Sequence, residues 1–172
     1  GLSAWNLAMG SQELYDWLDA EPQLFHPGDL DYIHSVERIS KLSNVISING
    51  GVQLDLMGQE NAESTGTRQL SGVGGQMDFL EGAYRSKGGK GFICINSSRV
   101  TKDGERKSNI LATIPGGSTI SAPRTMIQYV ATEYGIASLS GKTLRERAEA
   151  MASIAHPDFR EELMKYAREN FK

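Results

Sequence analysis

The feature that most constrains this chain is an apolar run that delivers a polar turn and then a glycine cluster. Val52-Gln53-Leu54-Asp55-Leu56 alternates like a strand, Gly58-Gln59-Glu60-Asn61-Ala62-Glu63-Ser64 is polar, and Ser71-Gly72-Val73-Gly74-Gly75-Gln76-Met77-Asp78-Phe79 reads as glycines opening a helix. Glycines lack Cβ, so their backbone N–H groups can approach a ligand closely. The first turn of the helix after Gly75 leaves amides unpaired toward any carboxylate, oxyanion or phosphate. This is the architecture of a ligand site. A bare Gly-x-Gly-Gly serves equally well as a tight turn that lets helix and strand pack, so the wider string has to decide.

Along the chain, Leu14, Trp17 and Leu18 recur at helical spacing after Ser11, a capping residue, and this first helix stops before Pro22. Pro27-Gly28-Asp29 is a turn, followed by a short helix or loop through Asp31 to Val36. Val45/Ile46/Ile48 and Val52/Leu54/Leu56 alternate on either side of Asn49-Gly50-Gly51, which predicts a local β-hairpin. A helix from about Gln76 to Arg85 ends at Lys87-Gly88-Gly89, and a strand covers Phe92 to Asn96. Ser97 to Asn109 is polar and turn-rich, a surface loop before a strand at Ile110 to Ile114. Ser118 to Ser121 is extended and Tyr129 to Thr132 is β-rich. Thr143 with Glu146 forms a capping box for a helix carrying Leu144, Ala148, Met151 and Ala152, and Pro157 starts a last helix with Phe159, Leu163 and Tyr166. Strands alternating with helices indicate a layered α/β domain, without telling which strands are neighbours.

With 172 residues, 39% hydrophobic and 23% charged, the chain can bury one core, so a single domain over residues 1–172 is expected. A net charge of −3 leaves no basic footprint for nucleic acid, and no apolar run reaches membrane-spanning length. Cys94 lies in Gly91-Phe92-Ile93-Cys94-Ile95, which reads as a buried strand with a packed thiol; a single cysteine fits a reducing cytoplasm. His26, His34 and His156 are scattered without companions at ligand spacing, so no metal site is expected, and no Gly-x-Ser-x-Gly elbow supports a serine hydrolase.

The long motifs point further. Val45-Ile46-Ser47-Ile48-Asn49, Val52 through Gln59, Ser71-Gly72-Val73-Gly74-Gly75-Gln76 with Asp78-Phe79, and Ser86-Lys87-Gly88-Gly89-Lys90 come first. Val130-Ala131-Thr132-Glu133-Tyr134-Gly135, Leu144-Arg145-Glu146-Arg147-Ala148 and Ile154-Ala155-His156-Pro157-Asp158-Phe159-Arg160 follow in order. Together they resemble the carboxyl-terminal domain of the acetyl-CoA hydrolase/transferase family, which contains 4-hydroxybutyrate and other acyl-CoA:carboxylate CoA-transferases. The resemblance implies an open, mostly parallel sheet flanked by helices, and an active site between two halves of a longer enzyme. It implies transfer of CoA between an acyl-CoA and a small carboxylate through a glutamyl-CoA thioester, with coenzyme A as substrate, no permanently bound cofactor, and homo-oligomerisation. The segment resembling the surroundings of the nucleophilic glutamate lies before Gly1, since Leu7-Ala8-Met9-Gly10 resembles the turn that follows it. The chain is thus expected to lack the amino-terminal half and the nucleophile, and to be inactive alone. A hydrolase, or a CoA-binding module without chemistry, is the alternative.

Within this reading, Asn61 is the catalytic candidate, matching the turn whose side-chain amide lies near the reacting acyl group; as a plain residue it is also a good turn cap. Gly72, Gly74 and Gly75 border the CoA and acyl pocket. In Lys102-Asp103-Gly104, Gly104 matches a glycine whose amide contacts the CoA thioester region. Arg124, after Ser121-Ala122-Pro123, matches a polar position on CoA, and its guanidinium suits phosphate. Glu63 is a supporting carboxylate, and Asp78 complements the helix dipole.

Overall fold

The structure, a computed structural model, describes residues 2–171. β1 (Ser3–Trp5) and α1 (Gln12–Ala20) are followed by a 3-10 turn (Pro22–Leu24), β2 (Phe25–Pro27), α2 (Leu30–Ile33) and α3 (Val36–Lys41). Next come β3 (Ile46–Gly50), β4 (Gln53–Asp55), β5 (Glu60–Asn61), β6 (Ser64–Thr65), β7 (Arg68–Gln69), α4 (Gln76–Arg85) and β8 (Lys90–Cys94). The chain continues through β9 (Ser98–Val100), β10 (Arg106–Ser108), β11 (Ile110–Leu111), β12 (Tyr129–Thr132), β13 (Gly135–Ser138), α5 (Leu144–Ser153) and α6 (Pro157–Asn170).

The main sheet has the order β13-β12-β8-β3; its first three strands in chain order, β3, β8 and β12, run parallel, and β13 folds back antiparallel on β12. Alternation sends Ser47, Gly91, Ile93, Val130 and Ala137 to a buried face. There Leu80 of α4 meets the bare Cα of Gly91, where a β-carbon would stand 3.0 Å from Leu80 Cδ2. Ala148 and Met151 of α5 and Leu163 and Ala167 of α6 extend the same core. Each fully buried Leu or Ile contributes about 1.5–3 kcal/mol of transfer free energy. The other face carries Ile46, Ile48, Phe92, Cys94 and Ile136 toward solvent, with Phe92 and Tyr129 stacked at 4.9 Å between ring centroids. Cys94 is therefore exposed rather than packed: the run around it is apolar on both faces, but only the face of Ile93 is covered.

A three-stranded sheet, β11-β4-β5, stands beside the main one, with β4 parallel to β11 and antiparallel to β5. The hairpin expected at Asn49-Gly50-Gly51 is a crossing between these two sheets, because β3 pairs with β8 while β4 pairs with β11 and β5. Neither Gly50 nor Gly51 has the positive φ that a two-residue hairpin turn demands. Gly51 answers instead to crowding: a β-carbon there would lie 2.7 Å from Glu60 Oε1 and 2.9 Å from Ile95 Cγ2. Hairpins form elsewhere, at β12–β13, at β6–β7, and within Ser97 to Asn109, where β9 and β10 pair antiparallel instead of forming a plain loop. The strand expected from Ile110 pairs over only two residues, and the Ser118 to Ser121 stretch makes no strand, although Ala122 bridges Glu60.

The helices match the reading closely. Thr143 Oγ1 accepts from the Glu146 amide while the Glu146 carboxylate accepts from the Thr143 amide, the reciprocal box foreseen at the start of α5, and Pro157 occupies the first turn of α6. Among the described residues no helix is long and apolar enough to cross a membrane.

Candidate functional site

The turn between β4 and β5 is tied from inside and outside. The Asp55 carboxylate accepts from the Gln59 amide at 2.9 Å and from Gln59 Nε2 at 2.7 Å, and the Gly58 amide closes on the Asp55 carbonyl at 2.9 Å. Gly58 has φ of +85°, a conformation that side chains with Cβ adopt only under strain. From α5, buried Arg147 reaches three separate segments: Nε donates to Met57 O, Nη1 to Leu139 O and Nη2 to Arg124 O, each at 2.8 Å. A planar fork of donors is the side chain that can do this, and a β-carbon on Gly58 would stand 2.7 Å from Nη2.

Asn61 is fully buried and its amide is oriented by its own turn. Oδ1 accepts from the Glu63 amide at 3.1 Å, the Ser64 amide at 2.9 Å and Ser64 Oγ at 3.2 Å, while Nδ2 donates to the Ser64 carbonyl at 2.8 Å. One N–H of the side chain remains beyond that bond. Ser121 fastens the turn from the facing loop: its Oγ donates to Glu63 Oε2 at 2.7 Å and accepts from the Ala62 amide at 2.9 Å. Glu63 Oε1 takes Gln69 Nε2 at 3.1 Å, so Glu63 is a structural carboxylate here.

Glu60, on β5, is the chemically unusual member. It is fully buried, its Oε2 accepts from Nε2 of Gln76, the first residue of α4, and its Oε1 has no hydrogen-bond partner among the described residues. Burial pushes the Glu60 carboxyl up to about 8; the Gln76 bond opposes that rise and the neighbouring Glu63 charge adds to it.

The glycine loop divides into two kinds. Gly72 and Gly74 have nothing within 4 Å of a β-carbon, and Gly74 has φ of +60°. At Gly75 a β-carbon would fall 2.2 Å from the imidazole of His34, so this glycine has a packing reason. His34 stacks edge-on against Phe79 and lies 3.7 Å from Asp78, whose partner here is that imidazole as well as the helix terminus.

Gly51, Cys94, Ile95, Asn96, Ala131 and Thr132 line a cavity of about 450 Å³. They sit at the carboxyl ends of the parallel strands β3, β8 and β12, the place where open α/β sheets bind ligands. A larger cavity of about 690 Å³, between Ala4, Arg38, Ile46 and Phe79, shares no residue with the Gly58 to Ser64 turn. Gly104 caps the β9–β10 hairpin with φ of +81°, and its amide donates to the Thr101 carbonyl at 3.0 Å. The donor expected to face CoA is thus engaged in its own turn. Arg124 is exposed, with its backbone carbonyl held by Arg147. Glu60, Gly51, Ser121 and Arg147 were not foreseen as parts of this assembly. That Glu60 shares a face with core Leu54 follows from the β4–β5 register, which residue order alone does not give.

Residues 10–167 match the model of the acetyl-CoA hydrolase/transferase C-terminal domain, and the chain belongs to that family. It is 45% identical over 160 residues to the butyryl-CoA:acetate CoA-transferase of Anaerostipes caccae, covering 93% of this chain and 36% of that protein. It is 45% identical over 163 residues to the 4-hydroxybutyrate coenzyme A transferase of Clostridium kluyveri, covering 95% of this chain and 37% of that protein. The crystal structure of RipA from Yersinia pestis superimposes with a TM-score of 0.86 at 39% identity, over 98% of this chain and 37% of that one. Acetyl-CoA hydrolases stand further off, at 30% identity for that of Kluyveromyces lactis. The chain therefore spans a little over a third of the length of the relatives it matches.

Proposed function

We propose that this chain is the part of an acyl-CoA:carboxylate CoA-transferase that shapes the acyl and CoA pocket, the chemistry passing through a glutamyl-CoA thioester on a glutamate outside these 172 residues. The observation that carries the reading is the tied turn from Asp55 to Ser64, set behind Gly51 at the carboxyl ends of the parallel strands. The relatives at 45% identity, named as CoA-transferases, support transfer over hydrolysis. In the transfer cycle a carboxylate attacks the thioester carbonyl, and the oxyanion that develops needs preoriented donors. Asn61 fits that role through its remaining N–H, because four hydrogen bonds fix the plane of its amide. Gly72 and Gly74 leave backbone bare for the thioester arm, and Arg124 supplies a cation for a CoA phosphate; Gly75 contributes as the seat of His34, and Gly104 joins only if its hairpin turn is remodelled.

The test has two arms. The 172-residue chain, given acetyl-CoA and several carboxylates, is expected to show no turnover. The longer protein, given acyl-CoA without acceptor and then borohydride, is expected to carry its modification on a glutamate outside this chain, as mapped by peptide mass spectrometry. An adduct on Glu60 or Glu63 overturns the assignment.

A further inference from the structure

Between the candidate turn and the glycine loop stands one side chain that belongs to both. Glu60 leaves β5 on the face of Leu54, toward the core, and accepts from Gln76 where α4 begins, directly after Gly75. Its second oxygen lies over the bare Cα of Gly51, beside the methyl groups of Ile93 and Ile95. The backbone of Glu60 is fixed as well: its amide donates to Ala122 O at 3.0 Å and its carbonyl accepts from Ser121 at 2.8 Å. We propose that Glu60 is a proton-dependent clamp, a positioning residue that in its neutral form holds the Gly72 to Gly75 loop and the Gly58 to Ser64 turn in one arrangement.

The surroundings make the proton matter. From its own turn the charged neighbour is Glu63, whose negative charge disfavours a second one. From α4 the facing group is the Gln76 amide, from the crossing between sheets it is Gly51, and from β8 and its extension they are Ile93 and Ile95, none of which titrates. Asp78 and His34, at the same end of α4, face each other across 3.7 Å. When Glu60 gives its proton to solvent, a carboxylate is left in an apolar seat with one amide for company. The ionised side chain then favours any arrangement that lets water reach it, and such an arrangement parts the turn from the loop.

The sign follows from linkage. A carboxyl whose folded value is raised from 4.5 to about 8 gives stability that is complete below 4.5 and lost as pH rises to about 8. Between those limits the equilibrium constant for local opening rises by up to about tenfold per pH unit, and then levels off. In the 172-residue chain, hydrogen exchange corrected for the intrinsic pH dependence is expected to show that rise at the hydrogen-bonded amides of the turn, from Gly58 to Ser64, and at those flanking the loop, Ser71 and Phe79, which donate to the Glu63 and Gly75 carbonyls. Glu60→Gln, which keeps the shape and cannot ionise, is expected to flatten it. Gln76→Leu removes the bond that joins the two segments, so opening is expected to rise at every pH, and because that bond favours the charged form the plateau is expected to move to higher pH. An unchanged pH dependence in Glu60→Gln overturns the clamp, as does opening confined to one of the two segments. The inference that the clamp serves catalysis rests on the proposed transferase reading, and the longer protein tests it separately. There, kcat/KM for CoA transfer is expected to fall on the alkaline side near pH 8 in the wild type and not in Glu60→Gln. If the longer protein transfers no CoA, the functional reading fails while the exchange experiment still decides the clamp.

Discussion

Two glycine-bearing regions of the same family domain are built in opposite ways. The Gly58 to Ser64 turn is buried and held by Asp55, Arg147, Ser121 and the Asn61 amide, and its glycine is forced both by φ and by the guanidinium against it. The Gly72 to Gly75 loop is mostly exposed, and at Gly72 and Gly74 a β-carbon would touch nothing. In one region glycine is required by what already surrounds it; in the other it leaves space that the chain itself does not fill. A fixed turn suits preoriented donors, which lose little on ligand binding, whereas an open loop suits close approach of a ligand backbone. Substitutions can separate the two kinds of glycine.

Arg147→Met tests the fixed region hardest. It leaves the carbonyls of Met57, Leu139 and Arg124 without their donor, that of Leu139 in a buried place and the other two in partly buried ones, and the expected loss is about 3–5 kcal/mol in urea denaturation of the 172-residue chain. A loss below about 1 kcal/mol would show that solvent replaces those bonds easily and that the turn is not fixed from α5.

Asn61 gives the next largest effect, and here two roles have to be told apart. Asn61→Ala removes the four hydrogen bonds of the Asn61 side chain and is expected to cost about 1–3 kcal/mol of stability. Asn61→Asp keeps the acceptor for the Glu63 and Ser64 amides but has no N–H to give. In the longer protein it is expected to lower kcat by about ten-fold to a thousand-fold, and its stability loss is expected to be no smaller than that of Asn61→Ala, because the new oxygen faces the Ser64 carbonyl in a buried place. If Asn61→Asp keeps full kcat, the amide serves the turn alone.

How much of this could be read from residue order depends on the range of the forces involved. The capping box at Thr143 and Glu146, the start of α6 at Pro157 and the span of α4 were legible because they are settled within one helical turn. The Asn49-Gly50-Gly51 crossing was not, because a hairpin and a passage between sheets present the same local pattern. What separates them is which distant strand, β8 or β11, each half pairs with. The wrong burial of Cys94 has the same source, since alternation gives the face of a side chain but not whether that face is covered. In the site, the Asn61 turn was visible as a motif. The links from Arg147, 90 residues from Met57, and from Ser121 to Glu63, 58 residues apart, join segments that no spacing rule connects.

A smaller effect sharpens the contrast between the glycines directly. Gly58→Ala must hold φ of +85° and displace a guanidinium, for an expected loss of about 1–3 kcal/mol, whereas Gly72→Ala is expected within about 0.5 kcal/mol of the parent. In the longer protein the order reverses for ligand: Gly72→Ala, though stable, is expected to raise the KM for acyl-CoA. Equal stability losses at the two positions would erase the distinction between a crowded and an open glycine.

The smallest expected effect belongs to Arg124, and it is informative because its backbone and side chain do different things. Its carbonyl is anchored by Arg147, so Arg124→Ala keeps the loop in place and is expected to leave the melting temperature nearly unchanged. Its side chain is exposed, where a single charge on a phosphate is worth about 1 kcal/mol or less, so affinity for CoA should fall by about three- to five-fold. If Coulomb attraction is the cause, that difference should be largest at low ionic strength and nearly vanish near 1 M salt, where the screening length is about 3 Å. A loss of affinity that salt does not touch would mean a direct, dry hydrogen bond from the guanidinium. That result would move Arg124 from the rim of the site to its interior, and would place the ordered half of the pocket on the Arg147 side rather than at the glycine loop.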